Sequence, residues 1–184
     1  IITKTTKIML KKFFILLLLQ VGIYNMYAQS VQRLEANPSF KGISIGIPIN
    51  SIADKLVYER SINGFTLYKI TSANYCSVFN VRMDFVRVVA KDGKVHAIDA
   101  VRIVKATESS PTVFNADDLD VIKAGLISQY GEPTHGLRED TNQYNRFGYQ
   151  WQAQSKQVCC FMDFYGTFQG YKLQYSLSEF SLDY

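Results

Sequence analysis

The sequence contains few of the residues from which catalytic and metal sites are built. Among its 184 residues are three cysteines, two histidines and one tryptophan. The cysteines lack the Cys-x₂₋₄-Cys spacing of structural zinc sites, and neither a glycine-rich phosphate loop nor a Gly-x-Ser-x-Gly turn is present. We therefore predict no catalytic residue, no metal site and no cofactor, and expect a protein that is not an enzyme.

The cysteine pair Cys159-Cys160 is the most conspicuous cluster of reactive groups. Adjacent residues of a strand point to opposite faces, so the two thiols cannot easily share one site. We expect Cys160 in the core, with Cys159 exposed or bridged, for example to Cys76. The acidic group Asp117, Asp118 and Asp120 is explained by the dipole of a helix that begins there.

Long apolar runs are also scarce, and the longest is Phe13–Leu19. It is too short to span a bilayer. Lys11-Lys12 precede it and the small residues Ala28 and Ser30 follow, which is typical of a cleaved secretory signal over residues 1–30. The pattern predicts an exported protein, periplasmic or extracellular, without a membrane span after cleavage.

The positive net charge of +4 comes from this leader. It holds Lys4, Lys7, Lys11 and Lys12 and no acidic residue, so the rest of the chain carries 16 basic and 16 acidic residues. A nucleic-acid partner is therefore not predicted.

Residues 31–184 are expected to form one α+β domain made of two helix-plus-three-strand units. The first unit, about 40–106, opens with a helix from Ser51 to about Arg60, which Asn63-Gly64 ends. Its predicted strands are Phe65–Thr71, Val78–Lys91 with a bulge near Phe85-Val86, and Lys94–Val104, and Asp92-Gly93 forms the last hairpin turn.

The second unit, about 107–184, is expected to begin with a helix over Ala116–Tyr130 that Gly131-Glu132-Pro133 ends. A polar loop over Thr134–Asn145 and a three-stranded meander over Tyr144–Phe180 follow. The two units together are expected to form one antiparallel sheet with both helices packed on one face.

The alternation of side chains predicts the register of the meander. A turn at Ser155-Lys156 places Gln154 opposite Gln157 and Trp151 opposite Cys160. Across the next loop, Phe164 is expected to meet Tyr171 and Asp163 to meet Lys172 as an opposite-charge pair.

Two short segments carry a resemblance to known proteins. Phe40-Lys41-Gly42-Ile43 is similar to the opening of small exported envelope proteins of unknown function, and Tyr130-Gly131-Glu132-Pro133 is similar to their helix-ending turn. The predicted order of elements resembles beta-lactamase inhibitory proteins and, for one unit, BamE/SmpA-type envelope proteins. The resemblance implies a binding or assembly module; beta-lactamase inhibitory proteins bind their enzyme through a sheet face.

One face of the meander is rich in Gln and Ser with Phe161 near its middle, which is typical either of ordinary solvated surface or of a binding surface with an aromatic anchor. We predict an exported binding or inhibitory module whose partner is a protein of the cell envelope. A structural or assembly component of the envelope and an uncharacterised enzyme are the alternatives. The candidate binding residues are Gln150, Gln152, Phe161, Lys172 and Gln174.

Overall fold

The computed structural model describes Phe13 and residues 32–105, 117–165 and 170–179. The predicted leader thus lies outside the described residues apart from Phe13. The described elements are a short helix α1 (residues 32–36), β1 (Ser39–Phe40), β2 (Ile43–Ser44), a 3₁₀ helix (Ile49–Lys55), β3 (Val57–Ile62), β4 (Phe65–Ile70), β5 (Ser77–Val78), β6 (Val81–Arg82), β7 (Phe85–Lys91), β8 (Lys94–Lys105), α2 (Asp117–Tyr130), β9 (His135–Asp140), β10 (Tyr144–Gln152), β11 (Lys156–Tyr165) and β12 (Gly170–Glu179).

Eight of these strands form one antiparallel sheet in the order β3-β4-β7-β8-β12-β11-β10-β9. Each half is a meander, and the last strand of the first half, β8, pairs with the last strand of the second, β12. The prediction that the two halves join in one antiparallel sheet is confirmed for these eight strands, while β1–β2 and β5–β6 form separate two-stranded sheets. The prediction of two helix-plus-three-strand units is wrong, because each half contributes four strands and the first half has no long helix among the described residues.

The predicted first helix is replaced by the 3₁₀ helix and β3. Ile52, within the predicted helix, is buried, but Val57, also within it, lies on an exposed strand. Asn63 and Gly64 both have positive φ, 51° and 79°, which is the geometry of a two-residue hairpin turn between β3 and β4. An Asn-Gly pair can end a helix or connect two strands, and the prediction that Asn63-Gly64 ends a helix is wrong.

Two further assignments of strand and loop are also corrected. The predicted strand Val78–Lys91 is divided into β5, β6 and β7, with a turn at Phe79-Asn80 instead of a bulge near Phe85. The predicted loop Thr134–Asn145 contains β9, which pairs with β10 and forms one edge of the sheet. The charges of β9 hide its strand character, because an edge strand exposes most of its side chains.

The second half otherwise follows the sequence closely. α2 ends at Tyr130 as predicted, and Gly131 follows at φ 77°. The pairing of β11 with β12 has the predicted register, including Phe164 with Tyr171. The pairing of β10 with β11 is shifted by two residues, so Trp151 lies opposite Val158 and not Cys160. A shift of two preserves the face of every side chain, so alternation alone could not choose between the two registers.

The hydrophobic core lies on one face of the sheet, defined here as the core face. One row across it is Val88, Ile98, Leu177, Val158 and Trp151. α2 covers it with Leu119, Ile122 and Leu126, and the N-terminal elements add buried side chains to the same cluster: Leu34, Phe40, Ile43 and Ile52. The indole Nε1 of Trp151 donates to the Gly131 carbonyl at 2.7 Å, which fixes the end of α2 to β10.

Candidate functional site

The opposite face of the large sheet, defined here as the outer face, is not covered by any described element. α1, β1, β2, the 3₁₀ helix, β5, β6 and α2 all place side chains in the core cluster on the other side. One row across the outer face consists of Lys69, Arg87, Asp99, Ser176, Cys159, Gln150 and His135. Among the described elements, the outer face is therefore the sheet surface that is available for binding.

The structure places all five predicted binding residues on the outer face, on the neighbouring strands β10, β11 and β12. Phe161 and Gln174 are direct cross-strand partners, and Lys172 is two residues from Gln174 along β12. The Gln150 side chain donates to Gln157 at 2.9 Å, which in turn donates to Ser178 at 3.1 Å. The glutamine and serine side chains therefore form an ordered hydrogen-bonded array across three strands.

Phe161 lies at the centre of this region, but its ring is only 7% exposed. The Arg146 guanidinium lies 4.2 Å from the ring centroid and the Lys172 ammonium 5.6 Å from it. Opposite Phe161 stands Gly148, where a side-chain carbon would approach the Phe161 Cβ to 2.5 Å. The ring thus fits over a glycine and under two cations, so it supports the surface from below instead of projecting as an anchor.

Asp163 connects these two cations. It is fully buried, accepts from Arg146 at 2.7 and 3.1 Å, and pairs with Lys172 at 2.8 Å. Glu139 of the edge strand lies 3.5 Å from the same guanidinium. This confirms the predicted Asp163–Lys172 pair and adds Arg146, whose role the sequence did not indicate because the two-residue shift brings it opposite Asp163.

The charge state of Asp163 follows from the balance between burial and these partners. Burial by itself would raise its pKa, but the hydrogen bonds and charges of Arg146 and Lys172 outweigh it and hold the pKa below the usual range. The carboxylate is therefore ionised at neutral pH. It fixes the two cations in place above Phe161.

The same arrangement recurs in the other half of the outer face. Lys69 and Arg87 lie 4.9 and 5.5 Å from the Phe85 ring centroid, and Lys91 lies 5.5 Å from that of Phe65. Cation–π contacts hold long basic side chains flat while leaving their charge accessible. The outer face thus has three phenylalanine rings beneath basic groups, and the sequence did not reveal this pattern because, Arg87 and Phe85 apart, the partners come from different strands.

The balance of charge on the outer face is positive. The pairing registers place eight basic and four acidic residues there. The basic residues are Arg60, Lys69, Arg87, Lys91, Lys94, Lys105, Arg146 and Lys172, and the acidic ones are Glu59, Asp99, Glu139 and Asp163. Three of the four acids are held in ion pairs by Arg87 or Arg146, which leaves the excess charge basic.

Asp99 is the acid on this face whose environment differs most from that of Asp163. It accepts from the Ser176 hydroxyl at 2.6 Å, and Arg87 is its cross-strand neighbour. Burial raises its pKa above the usual value, since hydrogen bonds from Ser176 and Gln174 compensate only in part. The pKa of Asp99 is thus raised and that of Asp163 lowered, although both carboxyl groups lie on the outer face.

The three cysteines are all free thiols. Cys160 is fully buried, as predicted, and burial raises the pKa of both Cys159 and Cys160 to about 12. A thiol with such a pKa carries almost no thiolate at neutral pH and is a poor nucleophile. His96 is held by Glu179, with Nδ1 2.9 Å from the carboxylate, and His135 lies on the exposed edge strand.

A small cavity of about 180 Å³ lies between β1, the β5–β6 hairpin and the end of α2. Phe79 lines it in a left-handed conformation, φ 46°, and its ring fills the space above Gly125, where a side chain would clash at 2.3 Å. The Lys41 ammonium at the rim already donates to Asn74 and Ser77. This cavity is smaller than an ordinary ligand pocket.

Comparison with known proteins adds no further guide: the chain matches no family model, no curated protein and no solved structure. Within the described ranges, no group of three metal-ligating side chains is assembled and no helix is both long and apolar enough to cross a bilayer.

Proposed function

We propose that the protein is an exported, non-enzymatic binding module that holds another protein against the outer face of its sheet. The observation that carries the proposal is the arrangement of Arg146, Lys172 and Asp163 over Phe161, repeated with other cations over Phe65 and Phe85. These contacts fix basic groups before binding, which lowers the entropy lost when a partner docks. The leader-like segment at residues 1–30 supports export.

The chemistry of the face favours an acidic protein surface. Basic side chains are in excess, and the array of Gln150, Gln157 and Ser178 offers hydrogen-bond donors and acceptors between them. Charge complementarity of this kind steers encounter and sets specificity. Phe161 contributes indirectly, by supporting the cations that contact the partner.

Site-specific photo-cross-linking tests the proposal. A benzophenone amino acid replaces Gln174 on the outer face, and in a second protein it replaces Val121, which is 45% exposed on α2. Each protein is incubated with an envelope extract of the native host and irradiated. We expect a discrete protein adduct from position 174 and none of that size from position 121.

Equal adducts from both positions, or none from position 174, would contradict the proposal. The adduct should also disappear as salt is raised, because its formation depends on exposed charges. An adduct that persists at high salt would indicate a partner of different chemistry.

A further inference from the structure

The two edges of the sheet expose different side chains. The β9 edge carries His135, Arg138, Glu139 and Asp140, and Arg138 pairs with Asp140 at 3.6 Å. Such charges protect a sheet edge against further pairing. The β3 edge is exposed along its whole length, and Val57, Tyr58 and Ile62 are 58%, 61% and 49% exposed. An exposed edge strand with apolar side chains is a template for another strand.

The sequence of β3 is complementary to itself. When a second copy pairs antiparallel about an axis between Glu59 and Arg60, Val57 meets Ile62 of the second copy and Tyr58 meets Ser61. Glu59 then meets Arg60 of the second copy, and every pair occurs twice. Apolar, polar and opposite-charge pairs are all of the kinds that stabilise cross-strand contacts.

The residues that would pair across this axis also lie on the same face of the sheet. Val57 and Ile62 pair with Lys69 and Phe65 of β4, which places both on the outer face. Tyr58 and Ser61 pair with Tyr68 and Thr66, which places both on the core side. Because a two-fold axis perpendicular to the sheet keeps each face continuous, each residue meets a partner on its own face.

A bulge between Tyr58 and Arg60 favours a second copy over an unrelated strand. Bulges bend an edge and spoil its fit to a regular strand. A second copy carries the same bulge, and the axis between Glu59 and Arg60 places the two bulges opposite each other. Both strands then bend equally, so the pairing continues on either side.

Glu59, one member of the central charged pair, is already held in place within the single chain. Arg87 holds Glu59 with its Nε at 3.0 Å and its Nη2 at 3.4 Å, so the carboxylate is fixed. Arg60 is in no ion pair with another described residue at salt-bridge distance. A carboxylate has lone pairs for a second guanidinium, so Glu59 can accept Arg60 of the second copy.

We infer that β3 is a dimerisation edge, through which two copies of this chain join their sheets into one continuous antiparallel sheet. The interface involves a short strand, so the dimer is expected to be weak and to depend on concentration. The inference does not rest on the outer-face binding proposed above.

Sedimentation equilibrium of the purified protein over a concentration series tests the inference with charge-reversal variants. Arg60→Glu sets Glu59 against a glutamate, and Glu59→Arg sets an arginine against Arg60, so each should weaken its own dimer about tenfold. Mixing the two variants restores both opposite-charge pairs and should restore dimer formation. Arg138→Glu on the β9 edge is the matched control and should leave the dimer unchanged.

A wild-type protein that stays monomeric throughout the series would overturn the inference, as would a mixture that associates no better than either variant alone. Ile62→Lys provides a second test if Glu59→Arg fails to fold without its Arg87 partner. It removes the apolar pair with Val57 of the second copy and should also weaken the dimer; unchanged association would place the contact elsewhere.

Discussion

Two phenylalanines on adjacent strands show how the faces of this sheet differ. Phe147 of β10 lies on the core face and is 40% exposed, whereas Phe161 of β11 lies on the outer face and is 7% exposed. Phe147 lies beside the edge strand opposite Arg138 and is not among the buried residues of the core cluster. Phe161 is covered by Arg146 and Lys172. Alternation along a strand thus determines the face of a residue, but the groups above it determine its burial.

The core face should be the most sensitive to truncation. Leu126 of α2 is fully buried in the core cluster, so Leu126→Ala should lower the free energy of unfolding by about 2–5 kcal/mol through lost contacts and a cavity. Val121→Ala on the exposed side of the same helix is the control and should cost less than about 1 kcal/mol. Equal losses in thermal or urea unfolding would mean that α2 does not pack as described.

On the outer face, the ion network should matter most. Asp163→Asn leaves Arg146 and Lys172 without their shared carboxylate, which should cost about 3 kcal/mol at pH 7. Asp99→Asn can keep the bond from Ser176 and removes a carboxyl that burial disfavours, so it should cost under about 1 kcal/mol. Urea unfolding of both variants measures the difference; a larger loss for Asp99→Asn would reverse the assigned roles.

The pH dependence of these variants separates them further. The folded-state pKa of Asp163 is depressed, so its ionised carboxylate stabilises the folded protein. This contribution is complete above the unfolded-state pKa of about 3.9 and is lost as pH falls through the folded-state pKa. The gap between wild type and Asp163→Asn should therefore close on acidification. The pKa of Asp99 is raised in the folded state, so its effect on stability has the opposite pH dependence. Its carboxyl group contributes to stability below the unfolded-state pKa, and this contribution is lost as pH rises through the folded-state pKa.

The two phenylalanines give the most direct comparison of the faces. Phe161→Ala should lower the free energy of unfolding by about 2 kcal/mol, because its ring is buried under cations. Phe147→Ala should cost less than half as much, although it lies on the core face. The opposite order in matched denaturation curves would show that the cations do not shield Phe161 in solution.

The thiols should show the smallest effect of all. Burial raises the pKa of Cys159 to about 12 although it lies on the outer face, so it should resist alkylation at pH 8 about as well as Cys160. Mass spectrometry of the native protein after a short iodoacetamide pulse measures this. Rapid labelling of Cys159 alone would show that the outer face opens around it.

The sequence predicted those features that depend on local alternation. The β11–β12 register, the Asp163–Lys172 pair and the end of α2 at Tyr130 follow from neighbours in sequence or from the face of each side chain. The β10–β11 register does not follow from such local features, because Ser155 donates through its backbone N–H and its hydroxyl to Glu35, which is distant in sequence. That contact lies at the turn, which spans Ala153 to Ser155 and differs from the predicted Ser155-Lys156 turn.

The sequence predicted that the five candidate residues share a face, but not the groups that surround them. All five predicted residues lie on one face, since Gln150, Gln174 and their neighbours alternate with core residues. Arg146 was not predicted, because its contacts with Asp163 and Phe161 require the observed register. Lys91 lies over the Phe65 ring and Lys69 over the Phe85 ring from neighbouring strands, and no pattern within a single strand indicates these two contacts.

The central claim, that the outer face binds a partner and the core side does not, can be tested with two matched lysines. Lys69 lies 4.9 Å from the Phe85 ring on the outer face, and Lys123 of α2 lies 4.0 Å from the Tyr149 ring on the core side. The measurement is the yield of the cross-linked adduct from a benzophenone at position 174 in each background. We expect Lys69→Glu to reduce the yield about tenfold and Lys123→Glu to leave it unchanged; equal yields in the two backgrounds would contradict the account.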